Sequence, residues 1–243
     1  GIGYTGFEGG DMLARSGDAL ENLKRVQAFG MEPLSVGLGF GGLDQVDVKA
    51  VAERAHLLGV KRAASFMGCV GAYRFGQRND KPGYDEVMRE IEKYNAIAKE
   101  LAKEDIVTTF HNHDAEFVNF YKGKPAFYVM MENSEYLKFE LDTGWALYGH
   151  YDPIQVMEDL GDQLKALHVK DFTYTNVPQQ PRPGQEVDES KCQVSMPRFT
   201  TPGTGLLPLK AVLKKASEMG LDYAIVEQDF MYHMTPYETL NGA

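Results

Sequence analysis

The stretch Leu164-Lys165-Ala166-Leu167-His168-Val169-Lys170-Asp171 is an apolar run of strand length that ends in an imidazole, an amine and a carboxylate. Three other segments have the same form, with an apolar run that leads into acidic or imidazole side chains: 106–116, 136–142 and 223–229. Parallel barrel strands bring their carboxyl ends to one face, where the functional sites of such barrels are found. The four segments therefore predict one site built from residues that lie far apart in the chain.

The phase of the strands supports this prediction, because side chains alternate between the two faces of a strand. Asp142, His168 and Glu227 each lie on the face opposite to their apolar neighbours. If the apolar faces pack on helices, these three side chains point into a barrel. An isolated inward carboxylate is often an ion-paired core residue, the role expected for Lys138 and Glu140 lower on their strand, but three groups in phase favour a divalent-metal site.

Length, composition and charge limit the possible classes of protein. The 243 residues are 43% hydrophobic and 25% charged, which is enough for a large core in one α/β barrel domain spanning residues 1–243. A formal charge of −10 argues against a nucleic-acid partner. Cys69 and Cys192 have neither zinc-knuckle nor disulfide-framework spacing. Without a bilayer-length apolar run or a signal peptide, we expect a cytoplasmic protein with no membrane partner, for which a homo-oligomer is possible.

Strand-like and helix-like segments alternate along the chain. We expect seven strands, at 2–8, 33–40, 60–67, 106–111, 136–142, 164–170 and 223–229. Helices are expected between them, at 16–29, 46–58, 84–103, 125–132, 153–160 and 207–219. This alternation is typical of a parallel sheet or barrel. Residues 172–206, rich in Pro and Gln, are too long for an ordinary connection and are expected to form an active-site loop or lid.

The number of strands bears on how complete the barrel is. Seven is one short of a closed eight-stranded barrel, and 235–238 has the character of a helix start. We therefore expect that the chain lacks a first strand and helix and most of a last helix. An open or naturally seven-stranded barrel is the alternative.

Five motifs together resemble the xylose isomerase-like barrel superfamily: His111-Asn112-His113, Leu141-Asp142-Thr143-Gly144-Trp145, Leu167-His168-Val169-Lys170-Asp171, Pro202-Gly203-Thr204-Gly205 and Val226-Glu227-Gln228-Asp229. The resemblance covers nearly the whole chain. It is strongest to the sugar phosphate isomerase/epimerase branch, which includes inosose dehydratase, hydroxypyruvate isomerase and ketose 3-epimerase relatives. It implies a TIM-type (β/α)8 barrel with one divalent metal ion held by a Glu, an Asp, a His and a Glu from successive strands.

The resemblance assigns three of these ligands residue by residue, to Asp142, His168 and Glu227. The first ligand stays open, because many relatives have Glu-Asn-His where this chain has His111-Asn112-His113. We expect Glu116 to be the fourth ligand, since three carboxylates with one imidazole suit Mn²⁺ or Mg²⁺. If His111 binds the metal instead, Zn²⁺ or Co²⁺ is favoured.

The chemistry implied by the resemblance is proton abstraction next to the carbonyl of a sugar, keto-sugar or sugar phosphate, through a metal-bound enediolate. Residues expected to take part in catalysis are Glu227, Glu116, His113 and Lys170. Residues expected to contact the carbohydrate or polyol substrate are His111, Trp145 and Asp229. Returning the proton elsewhere gives isomerisation or epimerisation.

Three other functions compete with this one. Dehydration of a keto-polyol or 3-keto sugar shares the first step and differs in expelling a hydroxyl group. A catalytically silent carbohydrate-binding relative would keep the fold without turnover. A phosphodiesterase like the endonuclease IV members needs more histidines and a basic face, against which six His and a charge of −10 count.

Overall fold

The computed structural model describes residues 3–15, 17–39, 42–175, 197–231 and 235–243. The strands are β1 (Gly6–Phe7), β2 (Glu32–Pro33), β3 (Val36–Gly37), β4 (Arg62–Ser65), β5 (Val107–His111), β6 (Phe120–Tyr121), β7 (Lys124–Pro125), β8 (Lys138–Asp142), β9 (Leu164–Val169), β10 (Asp171–Thr175), β11 (Pro197–Thr200) and β12 (Ala224–Val226). The helices are α1 (Met12–Arg15), α2 (Ala19–Gln27), α3 (Val48–Leu58), α4 (Cys69–Arg74), α5 (Tyr84–Ala102), α6 (Ala115–Val118), α7 (Ala126–Glu132), α8 (Thr143–Tyr148), α9 (Pro153–Leu160), α10 (Leu209–Glu218) and α11 (Pro236–Gly242). Short 3₁₀ turns cover Leu43–Gln45 and Gly161–Gln163.

A six-stranded parallel sheet in the order β12-β9-β8-β5-β4-β3 forms the centre of the molecule. β1 pairs in parallel with β2, which ends two residues before β3 begins. All seven strands expected from the sequence are therefore present. The segment expected as one strand at 33–40 is divided, since β2 pairs with β1 and β3 pairs with β4.

The sheet curls into a barrel. Glu8 directly follows β1, and its Oε2 lies 2.7 Å from Nε2 of His168 in β9. β1 and β9 belong to opposite ends of the strand order, so this contact crosses the interior that the curled strands enclose. The TIM-type α/β fold expected from the sequence is confirmed.

Helices cover the outer face of the sheet, as α5 illustrates. Its apolar residues recur every three or four positions, and six are buried: Val87, Ile91, Tyr94, Ile97, Ala98 and Leu101. They belong to the same core cluster as the outward-facing Phe139 and Leu141 of β8 and Leu137 just before it. Burying a side chain of this size stabilises the fold by roughly 1.5–3 kcal/mol, so the outer face fixes which strand residues point inward.

Short helices follow three of the central strands within a few residues, in segments for which the sequence analysis listed no helix. They are α4 after β4, α6 after β5 and α8 after β8. Asp142 explains the third of these, because its Oδ1 accepts a hydrogen bond from the backbone N–H of Trp145 at 2.7 Å and so caps α8. Each short helix holds the end of its strand in place at the carboxyl edge of the sheet.

The segment 172–206, expected to form an active-site loop or lid, contains most of an antiparallel strand pair. β10 and β11 pair antiparallel, with Asp171 opposite Thr200 and Phe172 opposite Phe199. The role of this segment at the active site stays a prediction. Residues 176–196 lie outside the described residues, and a lid role for them stays a prediction. In the described part of the chain, no helix has both the length and the apolar composition needed to cross a membrane.

Candidate metal centre

Four side chains converge at the carboxyl edge of four neighbouring strands. His111 ends β5, Asp142 ends β8, His168 lies near the end of β9 and Glu227 directly follows β12. One ligand-type atom from each lies within 4.8 Å of the others. We call these residues the four-residue group. Three of its members are buried, and the side chain of Glu227 is 37% exposed.

The two imidazoles of the group each have a carboxylate on both sides. His168 Nδ1 lies 2.7 Å from Glu227 Oε2, and its Nε2 lies 2.8 Å from Glu140 Oε1. His111 Nε2 lies 3.8 Å from Asp142 Oδ2, and its Nδ1 lies 3.5 Å from the same Glu140 oxygen. The ring centroids of the two histidines are 4.4 Å apart. His111 Nε2 and His168 Nδ1 are therefore the nitrogens that face the carboxylates of the group.

The donor set fits a divalent metal ion. Two imidazole nitrogens and two carboxylates are a common ligand combination for such ions. Oδ2 of Asp142 is buried and accepts no hydrogen bond from the described residues, although the Lys170 ammonium lies 3.2 Å from it. A buried carboxylate with so few hydrogen bonds gains from further positive charge, which a bound divalent cation would supply.

Lys170 supplies a positive charge beside the group. Its Nζ lies 3.2 Å from Asp142 Oδ2, 3.0 Å from Glu227 Oε2 and 3.0 Å from Asp229 Oδ1, and the side chain is 1% exposed. Burial acts to lower the pKa of Lys170, but the three carboxylates outweigh burial and hold this pKa above its ordinary value. The amine is therefore charged, and its position above the Trp145 ring, 5.2 Å from the centroid, places that aromatic side chain at the site.

The same network sets the charges of His168 and Glu227. Burial acts to lower the pKa of His168, but Glu140 and the hydrogen bonds to Glu227 and Glu8 raise it well above the ordinary value. Burial acts to raise the pKa of Glu227, but the hydrogen bond to His168 and the charge of Lys170 lower it well below the ordinary value. In the metal-free chain both residues are ionised.

Glu116 lies outside the four-residue group, contrary to the interpretation of the sequence that turned it toward the metal. The chain enters α6 after His111, and the Glu116 carboxylate turns back to accept the backbone N–H of His113 at 2.8 Å. Its side chain is buried, and burial raises its pKa to about 8. The geometry brings His111, and not Glu116, together with Asp142, His168 and Glu227.

His113 and Trp145 form an aromatic wall beside the group. The His113 ring lies 5.2 Å from His111, 5.2 Å from Phe75 and 5.6 Å from Trp145, measured between centroids. Burial, followed by the charges of His111 and Lys170, lowers the pKa of His113 well below its ordinary value. Its imidazole is therefore neutral. The indole N–H of Trp145 has no hydrogen-bond partner within the described ranges, so it is free to donate to a substrate oxygen.

A second group, which was not predicted from the sequence, lies below the first and shares His168 with it. Glu8, Glu140 and His168 also place ligand-type atoms within 4.8 Å of one another. Arg62 bonds to Glu8, and its Nη1 lies 3.2 Å from Glu140 Oε2, so this group already has a cation. Lys138, expected to pair with Glu140, instead donates to the Glu135 carbonyl. The alternation of side chains along β8 could have predicted this second group, because Glu140 lies on the same inward face as Asp142.

Comparison with known proteins identifies the family. The model of the xylose isomerase-like TIM barrel family matches residues 2–236. The chain belongs to this family. Among curated proteins, an inosose dehydratase from Geobacillus kaustophilus (strain HTA426) is 32% identical over 89 residues, which cover 36% of this chain and 28% of that relative.

Solved structures show the same fold at low sequence identity. A sugar phosphate isomerase/epimerase from Parabacteroides distasonis superposes with a TM-score of 0.73 at 20% identity, covering 99% of this chain and 82% of the other. The IolI protein with a bound zinc atom superposes with a TM-score of 0.66 at 15% identity, covering 99% of this chain and 85% of the other. At these identities the likeness shows the fold, and the choice among isomerase, epimerase and dehydratase depends on the site.

Proposed function

We propose that this protein is a divalent-metal-dependent isomerase or epimerase that removes a proton from the carbon next to the carbonyl group of a sugar or keto-sugar. The observation that carries the proposal is the four-residue group at the carboxyl edge of the sheet, whose ligand-type atoms all lie within 4.8 Å of one another. The family is one of sugar-modifying enzymes, which supports a small carbohydrate or polyol as the substrate.

We assign the metal ligands to His111, Asp142, His168 and Glu227, with His111 in the position that was expected for Glu116. Two imidazoles and two carboxylates suit a borderline ion such as Zn²⁺ or Co²⁺, or Mn²⁺, better than Mg²⁺. The zinc atom in the IolI structure is consistent with this ligand chemistry on the same fold. A divalent ion held here would polarise a carbonyl oxygen and stabilise the negative charge that develops on it.

We assign proton transfer to the two residues at the ends of a row of four side chains at the site. Glu227, His168, His111 and His113 follow one another by contact, at 2.7 Å between Glu227 and His168 and at ring separations of 4.4 and 5.2 Å along the histidines. Glu227 is ionised and its side chain is 37% exposed, so it can accept a proton from a substrate on its side of the row. His113, at the other end, is neutral, so it can accept a proton from the second face of the substrate and return it in the reverse direction.

Lys170 and Asp229 would bind and orient the substrate. Asp229 holds the Lys170 amine with both carboxylate oxygens at 3.0 Å. The amine therefore points at the group from a fixed direction and can donate to a substrate hydroxyl or carbonyl oxygen. Trp145, below the amine, offers an apolar ring and an unused N–H to the same substrate.

Dehydration is the second candidate, and the Lys170–Glu227 distance of 3.0 Å favours it. A base and a proton donor on the same side can remove hydrogen and hydroxyl from neighbouring carbons. Glu227 would take the proton from carbon, the Lys170 ammonium would protonate the departing hydroxyl, and a carbon–carbon double bond and water would be formed. The local match to an inosose dehydratase is in keeping with this reaction.

One experiment distinguishes these functions. The metal-loaded protein is incubated in deuterated water with a panel of ketoses, inososes and 3-keto sugars, and the products are analysed by NMR and mass spectrometry. An isomerase or epimerase places deuterium on the carbon beside the carbonyl and keeps all oxygens, whereas a dehydratase loses one water. The Asp142→Asn variant, with reduced metal binding, is the control. Binding without exchange for every sugar would indicate a silent relative, and hydrogen transfer without solvent exchange would indicate a hydride shift.

A further inference from the structure

A large cavity opens beside the four-residue group at the same edge of the barrel. It has a volume of about 1000 Å³ and is bounded by residues that follow three strands: Gly9 after β1, Leu38 after β3 and Met67 after β4. None of the four proposed metal ligands lines it. The cavity is therefore a separate space that adjoins the metal centre.

Two contacts show where the cavity meets the metal centre. Phe66 lines the cavity, and its ring centroid lies 5.8 Å from that of His111. Gly9 also lines it and directly follows Glu8, whose carboxylate contacts His168. A substrate held at the four-residue group could extend past Phe66 into this space.

The size of the cavity exceeds the need of one sugar ring. Pockets for drug-sized ligands have volumes of roughly 300–1,000 Å³, so this cavity lies at the upper end of that range. A single ring placed at the metal centre would leave this separate space unfilled. The volume leaves room for a second unit beyond that ring.

The lining combines fixed polar groups with an apolar surface. Ser65 Oγ lies 2.8 Å from the hydroxyl of the buried Tyr94, which also donates to the Met67 carbonyl at 3.2 Å, and this bonded set stands behind the cavity wall. Glu90 accepts the backbone N–H of Cys69 at 2.8 Å, so its carboxyl group is held in place at the wall. Phe66 is 40% exposed and offers a ring face for stacking. Fixed polar groups beside an aromatic ring match a sugar, which has polar edges and apolar faces.

The charges at the wall favour a neutral unit over a phosphate. The Nε of Arg54 lies 2.9 Å from Asp11 Oδ1, and Arg78 is paired with Glu86. Arg15, which also lines the cavity, is likewise engaged. To bind an arginine, a phosphate would have to break one of these ion pairs and would lie near the Asp11 and Glu90 carboxyl groups. A neutral hydroxylated unit would break no ion pair and would not be repelled by the carboxyl groups.

We propose that this cavity is a second carbohydrate subsite, which binds the neutral second sugar unit of a glycoside whose carbonyl-bearing ring lies at the four-residue group. The proposal rests on the proposed function for the position of the first ring. It makes the natural substrate a disaccharide-sized glycoside and not a free monosaccharide or a sugar phosphate.

Blocking variants test the subsite. Ala72→Phe on α4 and Leu43→Trp on the 3₁₀ turn each add a large side chain to a different wall of the cavity, away from the four-residue group. Circular dichroism and the thermal midpoint of unfolding are measured first, to test whether each variant is folded. Glu90→Gln, which keeps the shape of the side chain, serves as a mild third variant if both larger substitutions disturb folding.

The kinetic test compares three substrates on the metal-loaded protein: 3-keto-glucose, a disaccharide of 3-keto-glucose and glucose, and 3-keto-glucose 6-phosphate. We expect kcat/KM for solvent exchange or turnover to be at least about tenfold higher for the disaccharide. Ala72→Phe and Leu43→Trp should lower the disaccharide value about tenfold and leave the monosaccharide value within about twofold. Equal effects on both substrates, no effect on either, or a preference for the phosphate would overturn the subsite.

A binding test separates this proposal from the proposed reaction. Unmodified cellobiose is titrated into the protein and followed by saturation-transfer NMR. Signals from one sugar ring should be lost in Ala72→Phe and kept in Asp142→Asn, which lacks a metal ligand but has an intact cavity. This pattern would support the subsite even if no keto-sugar reacts. Cellobiose signals that are absent from the parent protein, or unchanged in Ala72→Phe, count against it.

Discussion

Glu140 Oε1 lies 2.8 Å from His168 Nε2, on the edge of the ring opposite to Glu227. The same oxygen lies 3.5 Å from His111 Nδ1. One buried carboxylate therefore orients both imidazoles that we propose as metal ligands. Carboxylate partners of this kind fix the tautomer of a ligating histidine and raise its basicity.

The first prediction follows from this arrangement. Glu140→Gln should weaken metal binding by about 10–100-fold, because the amide no longer holds both rings with a negative charge. The substitution also removes a buried partner of Arg62 and should lower the free energy of unfolding by about 3–5 kcal/mol. Competition with a metal-binding dye measures the affinity. Glu135→Gln, at an exposed position before the same strand, is the control.

The second prediction concerns the fourth ligand. His111→Asn should weaken metal binding more than tenfold, whereas Glu116→Gln should leave it nearly unchanged, since the Glu116 carboxylate is turned toward the His113 backbone. Dye competition on the two purified variants gives the ranking. The reverse order would return the ligand role to Glu116 and shift the favoured ion toward Mn²⁺ or Mg²⁺.

Strand phase explains why so much of the site could be predicted from the sequence. When the apolar face of a strand packs on helices, the residues of the other face must point inward, and Asp142 and His168 lie on that other face of their strands. The order of the strands then brings their ends together. The place of Glu116 could not be read in this way, because it depends on α6, a four-residue helix with no periodic signal of its own.

The ion-pair partners of buried charged residues also could not be predicted from the sequence. Glu140 has the inward phase of Asp142, but its partner Arg62 comes from β4 and is 78 positions earlier, a pairing that only the curled sheet creates. The antiparallel pair β10 and β11 was hidden for a similar reason. Its strands are short and are separated by residues 176–196, so neither the period nor the spacing of a hairpin was visible.

The third prediction is a pH dependence that comes from Glu116. Burial raises the pKa of its carboxyl group from 4.5 to about 8, so the folded chain binds more protons than the unfolded chain between these values. Its contribution to stability is present below the unfolded pKa and is lost as the pH rises through the folded pKa. Relative to Glu116→Gln, the parent protein should lose up to about 1.4 kcal/mol per pH unit inside this window.

Urea unfolding of the metal-free proteins across this window measures the difference between the parent and Glu116→Gln. Glu53→Gln, whose parent side chain is 67% exposed, is the matched control and should follow the parent curve. Parallel curves for the parent and Glu116→Gln would show that the Glu116 carboxyl group does not bind a proton in the folded state.

The fourth prediction concerns Asp171, which follows Lys170 and anchors the turn before α10. Its carboxylate accepts the backbone N–H groups of Phe172, Gly203, Gly205 and Leu207 at 2.8–2.9 Å. Hydrogen bonds to a charged group contribute about 1.5–3 kcal/mol each, so Asp171→Asn should lower the free energy of unfolding by at least about 3 kcal/mol. Hydrogen exchange at Gly203 and Leu207 should accelerate together.

Two further variants make this prediction specific. Gly205→Ala should have a similar effect, because its Cβ would lie 2.4 Å from Asp171 Oδ1. Asp152→Asn changes an N-cap that asparagine fills equally well, so its effect should be small. If Asp171→Asn were as mild as Asp152→Asn, the turn would be held by other contacts.

The last prediction separates metal binding from turnover at Lys170. The buried ammonium contacts Asp142, Glu227 and Asp229 in the metal-free chain, and a divalent ion at the four-residue group would share two of these carboxylates. Lys170→Met should therefore destabilise the metal-free protein by about 3–5 kcal/mol while tightening metal binding, since the bound ion no longer faces a neighbouring positive charge. Dehydration, in which Lys170 donates the proton, should fall by about 10²–10⁴-fold, the usual effect of losing a proton-transfer group. Lys165→Met, exposed on the same strand, is the control. Weaker metal binding in Lys170→Met would mean that the lysine holds the ligands in place, and its role in proton transfer would then need separate support from the pH profile of kcat.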